Sequence, residues 1–213
     1  MSLQSQLQAA SHGRPGVITV GTFDGVHVGH ARLFAETIAL AGEIGSDSVA
    51  ITFKYPPREL INPDRRVLHL GPLDERRSLI EALGIDHVIE LEFDDRIRTI
   101  AAEEFVRILM AELDMKGLVL GPGATVGHER DGDEARMTAL SEELGFALRV
   151  VPPAMVNGKV ARSSTIRAAL DEGDVASTAE LLGRTFSITD VVTEGDRRGR
   201  TLGFPTANIT PDP

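Results

Sequence analysis

The chain has 213 residues, 42% of them hydrophobic and 25% charged, an ordinary globular composition with enough length to bury a core without covalent staples. It contains no cysteine, which excludes disulfides and a thiolate metal centre. The net charge of −10 and pI of about 5.1 argue against nucleic acid as the main partner, because phosphate backbones are met by basic faces.

No apolar run reaches the ~18 residues that a membrane span needs, so no membrane partner is expected. A cytoplasmic location fits, and composition says nothing of oligomeric state. Residues 1–15 are polar and glycine-containing, lack the apolar centre of a signal peptide, and are expected to form a flexible, loosely docked N-terminus.

The first buried strand is predicted at Val17–Val20, a β-branched run stopped by Gly21. Leu33, Phe34, Ile38 and Leu40 then recur at helical spacing and predict a helix over Gly29–Gly42. Ser48–Phe53 is a second strand, broken by Tyr55-Pro56-Pro57 because proline cannot donate to a ladder. A helix over Asp74–Leu83 stops at Gly84. Further along come a strand at His87–Leu91, a helix at Ala101–Leu113 and a strand at Gly117–Leu120, ended by Gly121-Pro122-Gly123. A helix at Asp133–Leu144, a strand at Ala147–Val151 and helices at Thr165–Leu170 and Val175–Leu182 complete the run.

Strands and helices alternate through residue 151, and parallel strands need such crossovers. The fold class is therefore α/β, a Rossmann-like, doubly wound parallel sheet spanning residues 16–183. Ligands of such sheets bind at the carboxyl ends of the strands, so Gly21, Pro56 and Gly121 mark the expected site. Beyond residue 183 the texture changes. Phe186–Thr193 is β-rich, and residues 184–213 read as the opening of an all-β module too short to bury a core alone.

Two constellations carry chemistry. His27-Val28-Gly29-His30 follows a strand and opens a helix, where two imidazoles three residues apart can face one ligand. The free N–H groups and positive dipole end of that helix suit a triphosphate, and Gly29 lets phosphate approach the backbone. Zinc is the weaker reading, since two histidines lack a third ligand nearby. The second constellation is Arg162-Ser163-Ser164-Thr165-Ile166-Arg167. Its hydroxyls could be helix caps, but three of them between two arginines suit a triphosphate and a departing pyrophosphate.

Gly21-x-Phe23-Asp24-Gly25-Val26-His27-x-Gly29-His30, followed by Ser163-Ser164-Thr165-x-Arg167, resembles the bacterial bifunctional riboflavin kinase/FMN adenylyltransferase (FAD synthetase) family. Leu181-Leu182-Gly183-Arg184 is similar to that family's junction between modules, and Gly199–Asn208 to the start of its kinase module. The HxGH motif is shared by many nucleotidyltransferases, whereas Gly203-Phe204-Pro205-Thr206-Ala207-Asn208 is much narrower.

The resemblance implies transfer of the AMP part of ATP to FMN with Mg²⁺, giving FAD and pyrophosphate. It implies catalytic roles for His27, His30 and Arg167, with the histidines on the phosphates. Ser163, Ser164 and Thr165, with Arg167, would hold the β and γ phosphates. Gly21, Phe23 and Asp24 would shape the turn beside the nucleotide, and Gly121, Gly123 and Thr125 would lie on the flavin side. In the kinase remnant, Thr206 and Asn208 match residues that bind Mg-ATP. The chain stops at Pro213 without the rest of that module, so no riboflavin kinase activity is expected from it.

Departures from the pattern fall mostly on the flavin side. Thr22 stands where Asn is usual, Tyr55-Pro56-Pro57 replaces Pro-His-Pro, and Arg162 stands where Ser is common. Gly121-Pro122-Gly123-Ala124-Thr125-Val126-Gly127 lacks the family's Asp and two aromatics. With one Tyr, eight Phe and no Trp, little is available to stack on an isoalloxazine ring. Two alternatives follow: a nucleotidyltransferase with another phosphate-bearing acceptor, and a protein that binds ATP without turnover. The remaining polar residues read as structural. Arg76-Arg77 and Arg65-Arg66 are expected on solvated helix faces, Asp94-Asp95 in a loop or cap, and His12, His69 and His87 in structural or surface positions. Arg130 and Asp133 are weak ligand candidates, with Asp133 also a helix cap.

Overall fold

A computed structural model describes residues 1–55, 69–189, 191–193, 195, 198–201, 203–204 and 207–209. Five strands, β1 Gly16–Val20, β2 Asp47–Phe53, β3 His87–Leu91, β4 Met115–Leu120 and β5 Ala147–Val150, form one sheet in the order β3-β2-β1-β4-β5. Every pairing in it is parallel. The chain begins in the middle, winds outward to β3, then returns beside β1 and winds the other way. Its direction reverses between β1 and β4, and a crevice opens there at the carboxyl ends.

The strand period of two divides the apolar residues between two faces. Val17, Ala50, Val88 and Val119 point to one face, where they pack with Leu33 and Phe34 of helix α2 (Val28–Ile44) and Ile80 of α3 (Leu73–Ala82). Ile18, Ile51, Ile89 and Leu118 point to the other. There they meet Phe105 and Leu109 of α5 (Ala102–Leu113) and Met137 and Leu140 of α6 (Glu134–Leu144). Both faces are covered, which is why the strands read as continuous apolar runs. A short helix α4 (Asp95–Arg98) is capped by Asp94, whose side chain accepts from the amides of Arg96 and Ile97. That is the cap the sequence allowed.

The N-terminus differs from expectation. Residues Leu3–Ala10 form helix α1, with Ser2 as its cap and Leu3 and Leu7 fully buried against the second core face. Gln6 holds it to the edge of the sheet like a strand partner, donating to the Glu92 carbonyl (3.2 Å) and accepting from the Glu92 amide (2.7 Å). Two leucines four apart form a helical stripe, but polar neighbours keep the segment's mean hydropathy low.

After the sheet, a hairpin of β6 (Met155–Val156) and β7 (Lys159–Val160) leads into α7 (Ser163–Asp171) and α8 (Val175–Leu182). Ile166, Leu181 and Leu182 bury against Leu70 and Ala161, which docks this pair of helices beside the start of α2. Among the described residues of the expected β-rich run at Phe186–Thr193, only β8 (Val192–Thr193) is strand, paired antiparallel with β9 (Asn208–Ile209); a short helix α9 (Arg198–Thr201) lies between them. Pro56, Pro57, Arg65, Arg66, Pro205 and Thr206 lie outside the described residues. Among the described residues, no helix is long and apolar enough to cross a membrane.

Candidate active site

The turn after β1 is held in an unusual backbone conformation. Gly21 continues the ladder, its amide donating to Ile51 (3.0 Å). Phe23 and Val26 both have positive φ (46° and 35°), a region that costs non-glycine residues energy and persists only when the surroundings enforce it. Enforcement comes from the core, because the buried Phe23 ring packs edge-on against Phe34 and His30. Gly25 is obligatory twice over. Its φ is +78°, and a Cβ there would sit 2.8 Å from Leu70.

The first turn of α2 is closed by its own histidines. His27 is the cap, its Nδ1 accepting from the amides of Gly29 (3.1 Å) and His30 (3.3 Å). His30 reciprocates through Nδ1, accepting from the His27 amide (3.3 Å). This is a capping box built from two imidazoles, with the rings stacked at 3.6 Å. A nitrogen that accepts from an N–H carries no proton, so each ring holds its proton on Nε2.

Burial keeps both rings neutral. It drives His27 down to about 4, with the nearby Arg184 guanidinium adding to the effect. Burial and the adjacent His27 hold His30 well below the usual histidine range. The pair is thus two neutral N–H donors rather than a cationic patch. The expectation that the α2 amides themselves are free for phosphate is corrected, since those of Gly29 and His30, with that of the cap residue His27, are spent inside the box. Gly29 is needed for a different reason as well. A Cβ there would lie 3.0 Å from the Ala161 carbonyl oxygen and from the His27 ring, so the glycine lets the α7 side of the fold close onto α2.

The second constellation arrives through Asp24. This buried carboxylate accepts from the Leu70 amide through Oδ1 (2.9 Å) and pairs with Arg167 through Oδ2. Its backbone carbonyl accepts from the Ser163 hydroxyl (3.0 Å). The two motifs, about 140 residues apart in sequence, therefore meet at one residue. The three hydroxyl residues are not caps. Arg162 holds the cap position and makes no side-chain cap bond, so Ser163, Ser164 and Thr165 form the first turn of α7. A helix start without a side-chain cap keeps amide donors for an anion. The uncapped start of α7 lies close to the start of α2, with the Ala161 carbonyl against Gly29.

Two arginines complete the frame. Arg184, just past α8, donates to the carbonyls of Gly25 (2.9 Å) and Val26 (3.1 Å). Arg76 on α3 donates to the Thr22 carbonyl (2.6 Å) and Thr52 Oγ1 (3.3 Å) and is only 7% exposed. The expectation of a solvated face is overturned for Arg76. The charge alone hid its role, whereas the spacing of Arg76 with the buried Ile80 on one helical face was a usable signal. Arg77 does lie at the surface, paired with Glu81 and Glu90.

Across the switch point, Gly121, Gly123 and Thr125 line a cavity of about 260 Å³ with Leu120, Asp133, Glu134 and Val150. Its loop is tied down by Arg130, which donates to Thr125 Oγ1 (3.0 Å), and by Asp131, which accepts from the amide that opens α5. Asp133 caps α6 (2.8 Å to the Arg136 amide). Among the described residues, no aromatic side chain lines this cavity. Asn208 lies on β9 opposite Thr193.

A five-stranded parallel sheet of this order, with a histidine-capped helix at its central strand, defines an α/β nucleotidyltransferase-like fold. The chain belongs to the FAD synthetase family, whose model matches residues 9–165, and a riboflavin kinase model matches residues 182–213. Similar curated proteins carry the name bifunctional riboflavin kinase/FMN adenylyltransferase. That of Escherichia coli K12 is 32% identical over 194 residues, and that of Pseudomonas fluorescens 34% identical over 194. The alignments cover 91% of this chain, and the chain spans 62% of the length of these relatives. A solved structure described as a macrolide-efflux protein from Streptococcus pneumoniae superposes with a TM-score of 0.84 at 26% identity, over 96% of this chain and 67% of the other.

Proposed function

We propose that the chain is an FMN adenylyltransferase, joining FMN to the AMP moiety of ATP to give FAD and pyrophosphate. The observation that carries this reading is that Asp24, in the turn leading to the neutral histidine pair, bonds Ser163 and Arg167 of α7 and so brings the two motifs together.

In the proposed reaction an oxygen of the FMN phosphate attacks the α-phosphorus. A new P–O bond forms, the bond to the β-phosphate breaks opposite it, and pyrophosphate leaves. The attacking phosphate is already mostly deprotonated at pH 7, so the enzyme needs no general base. Catalysis then consists of positioning and charge stabilisation. His27 and His30 donate from Nε2 to phosphate oxygens as charge moves toward the leaving group. Ser163, Ser164 and Thr165 receive the β and γ phosphates with the amides of their turn. Arg167 orders that turn through Asp24 and adds positive charge behind it.

Mg²⁺ supplies charge neutralisation when it enters with ATP. Asp24 is engaged at both oxygens, by Leu70 and Arg167, and no protein ligand is assigned to the ion. In this reading FMN lies toward Gly121, Gly123 and Thr125, where the lack of aromatic surface among the described lining residues predicts weak stacking. ATP and FMN are the expected partners, in the cytoplasm, without nucleic acid or membrane.

The test is incubation with Mg-ATP and FMN, following FAD and pyrophosphate together. Both should appear in equal amounts. ATP binding without any FAD would overturn the reading in favour of a binding protein, and pyrophosphate released only with another phosphate acceptor would reassign the substrate.

A further inference from the structure

At the opposite end of the sheet, His12, Asp47 and His87 converge, a grouping the adenylyl-transfer chemistry does not use. Asp47 opens β2, His87 opens β3, and His12 lies on the connector between α1 and β1. The seven residues of β2 put this cluster roughly 20 Å from the nucleotide turn.

We propose that these three residues, with water in the fourth position, form a site for a zinc-like divalent cation that staples the N-terminal connector to the sheet. Asp47 divides its oxygens. Oδ1 pairs with Arg14 (3.0 Å), while Oδ2 faces both histidines, 3.1 Å from His87 Nε2 and 3.7 Å from His12 Nδ1. Ligands around one tetrahedral zinc, each about 2.0–2.2 Å from it, are themselves about 3.3 Å apart. The Asp47–His87 pair meets that spacing, and the His12 contact is slightly longer.

A second observation points the same way. The His12 side chain is only 10% exposed, yet both of its ring nitrogens are buried without a hydrogen-bond partner. Buried polar groups are nearly always partnered, and two imidazoles with a carboxylate are a borderline-soft set suited to zinc. The two rings are stacked at 3.9 Å and nearly parallel, so their lone pairs do not yet converge. Binding requires the His12 ring to turn. Its position on a short connector between elements permits that.

The test is titration of the metal-free full chain with Zn²⁺ by calorimetry, with Co²⁺ absorption as a report of coordination. One ion should bind, the thermal midpoint should rise with Zn²⁺, and Co²⁺ should give a tetrahedral spectrum. His12→Phe keeps the stacked ring without a nitrogen donor. It and His87→Ala should each weaken binding by more than the roughly 10–100-fold that an outer-shell partner alone is worth. Arg14→Gln, which frees Asp47, should tighten it. His27→Asn, at the other end of the sheet, should leave it unchanged. The proposal is overturned by an absence of binding, by equal binding in folded His12→Phe and His87→Ala, or by loss of binding in His27→Asn.

Discussion

Asp24→Asn removes the negative charge through which the two halves of the site meet, while an amide oxygen can still accept from the Leu70 amide. The pair it breaks is largely buried, with side-chain exposures of 10% for Asp24 and 22% for Arg167. Removing one partner of a fully buried pair costs about 3–5 kcal/mol, because the other charge is left stranded. Arg167 keeps some access to water, and the Leu70 bond survives, so the expected loss is about 2–3 kcal/mol. In a chain of this size that lowers the thermal midpoint by roughly 4–12 °C. The assay is urea and thermal unfolding of Asp24→Asn, Arg167→Met and the double variant. Coupling between the two should be about 1–3 kcal/mol, since contacting residues do not add. If the single losses simply add, Asp24 and Arg167 do not stabilise each other, and the account of how the motifs meet is wrong.

Three further predictions follow from the same geometry. His27 titrates near 6.5 when unfolded and at about 4 when folded, so the unfolded chain binds the proton first. Its contribution is complete above pH 6.5 and should fall by roughly 3 kcal/mol as pH drops to 4; His27→Asn, which retains a capping side chain, should lose that component in unfolding measured across the range. Arg184→Ala deletes the guanidinium that depresses His27, so the His27 titration followed by NMR should move upward, and adenylyl transfer should fall as the Gly25 and Val26 carbonyls lose their donor. Leu7→Ala should cost about 2–5 kcal/mol, as for other fully buried leucines, and a loss within a few tenths would mean that α1 is not docked as described.

The order of elements was readable because each element carried its own punctuation. Gly45, Gly145 and Gly183 stop their helices in the left-handed conformation, and His87–Leu91 and Val175–Leu182 have the expected limits. The hairpin at residues 155–160 carried a usable signal in Asn157-Gly158, both at positive φ, although its strands are too short for any periodicity. Helix α1 was not readable from mean hydropathy, because only two leucines and the polar Gln6 make up its buried stripe.

For the site, local sequence pointed to both constellations but not to their bonding. That Asp24 reaches Arg167 depends on tertiary approach, whereas the mutual capping of His27 and His30 is a local contact three residues apart that a capping-box spacing could have signalled. Arg184 was hidden because its partners, too, are set by tertiary approach, whereas Arg76 was read as solvated from its charge although it shares a helical face with the buried Ile80.

The most direct measurement of the central claim uses ATP labelled at the α-phosphorus, incubated with FMN and Mg²⁺. Label should pass into FAD, with unlabelled pyrophosphate released in equal amount, and His30→Ala should slow that transfer far more than it lowers stability. Label recovered only as AMP or ATP, with FMN unchanged, would contradict the account.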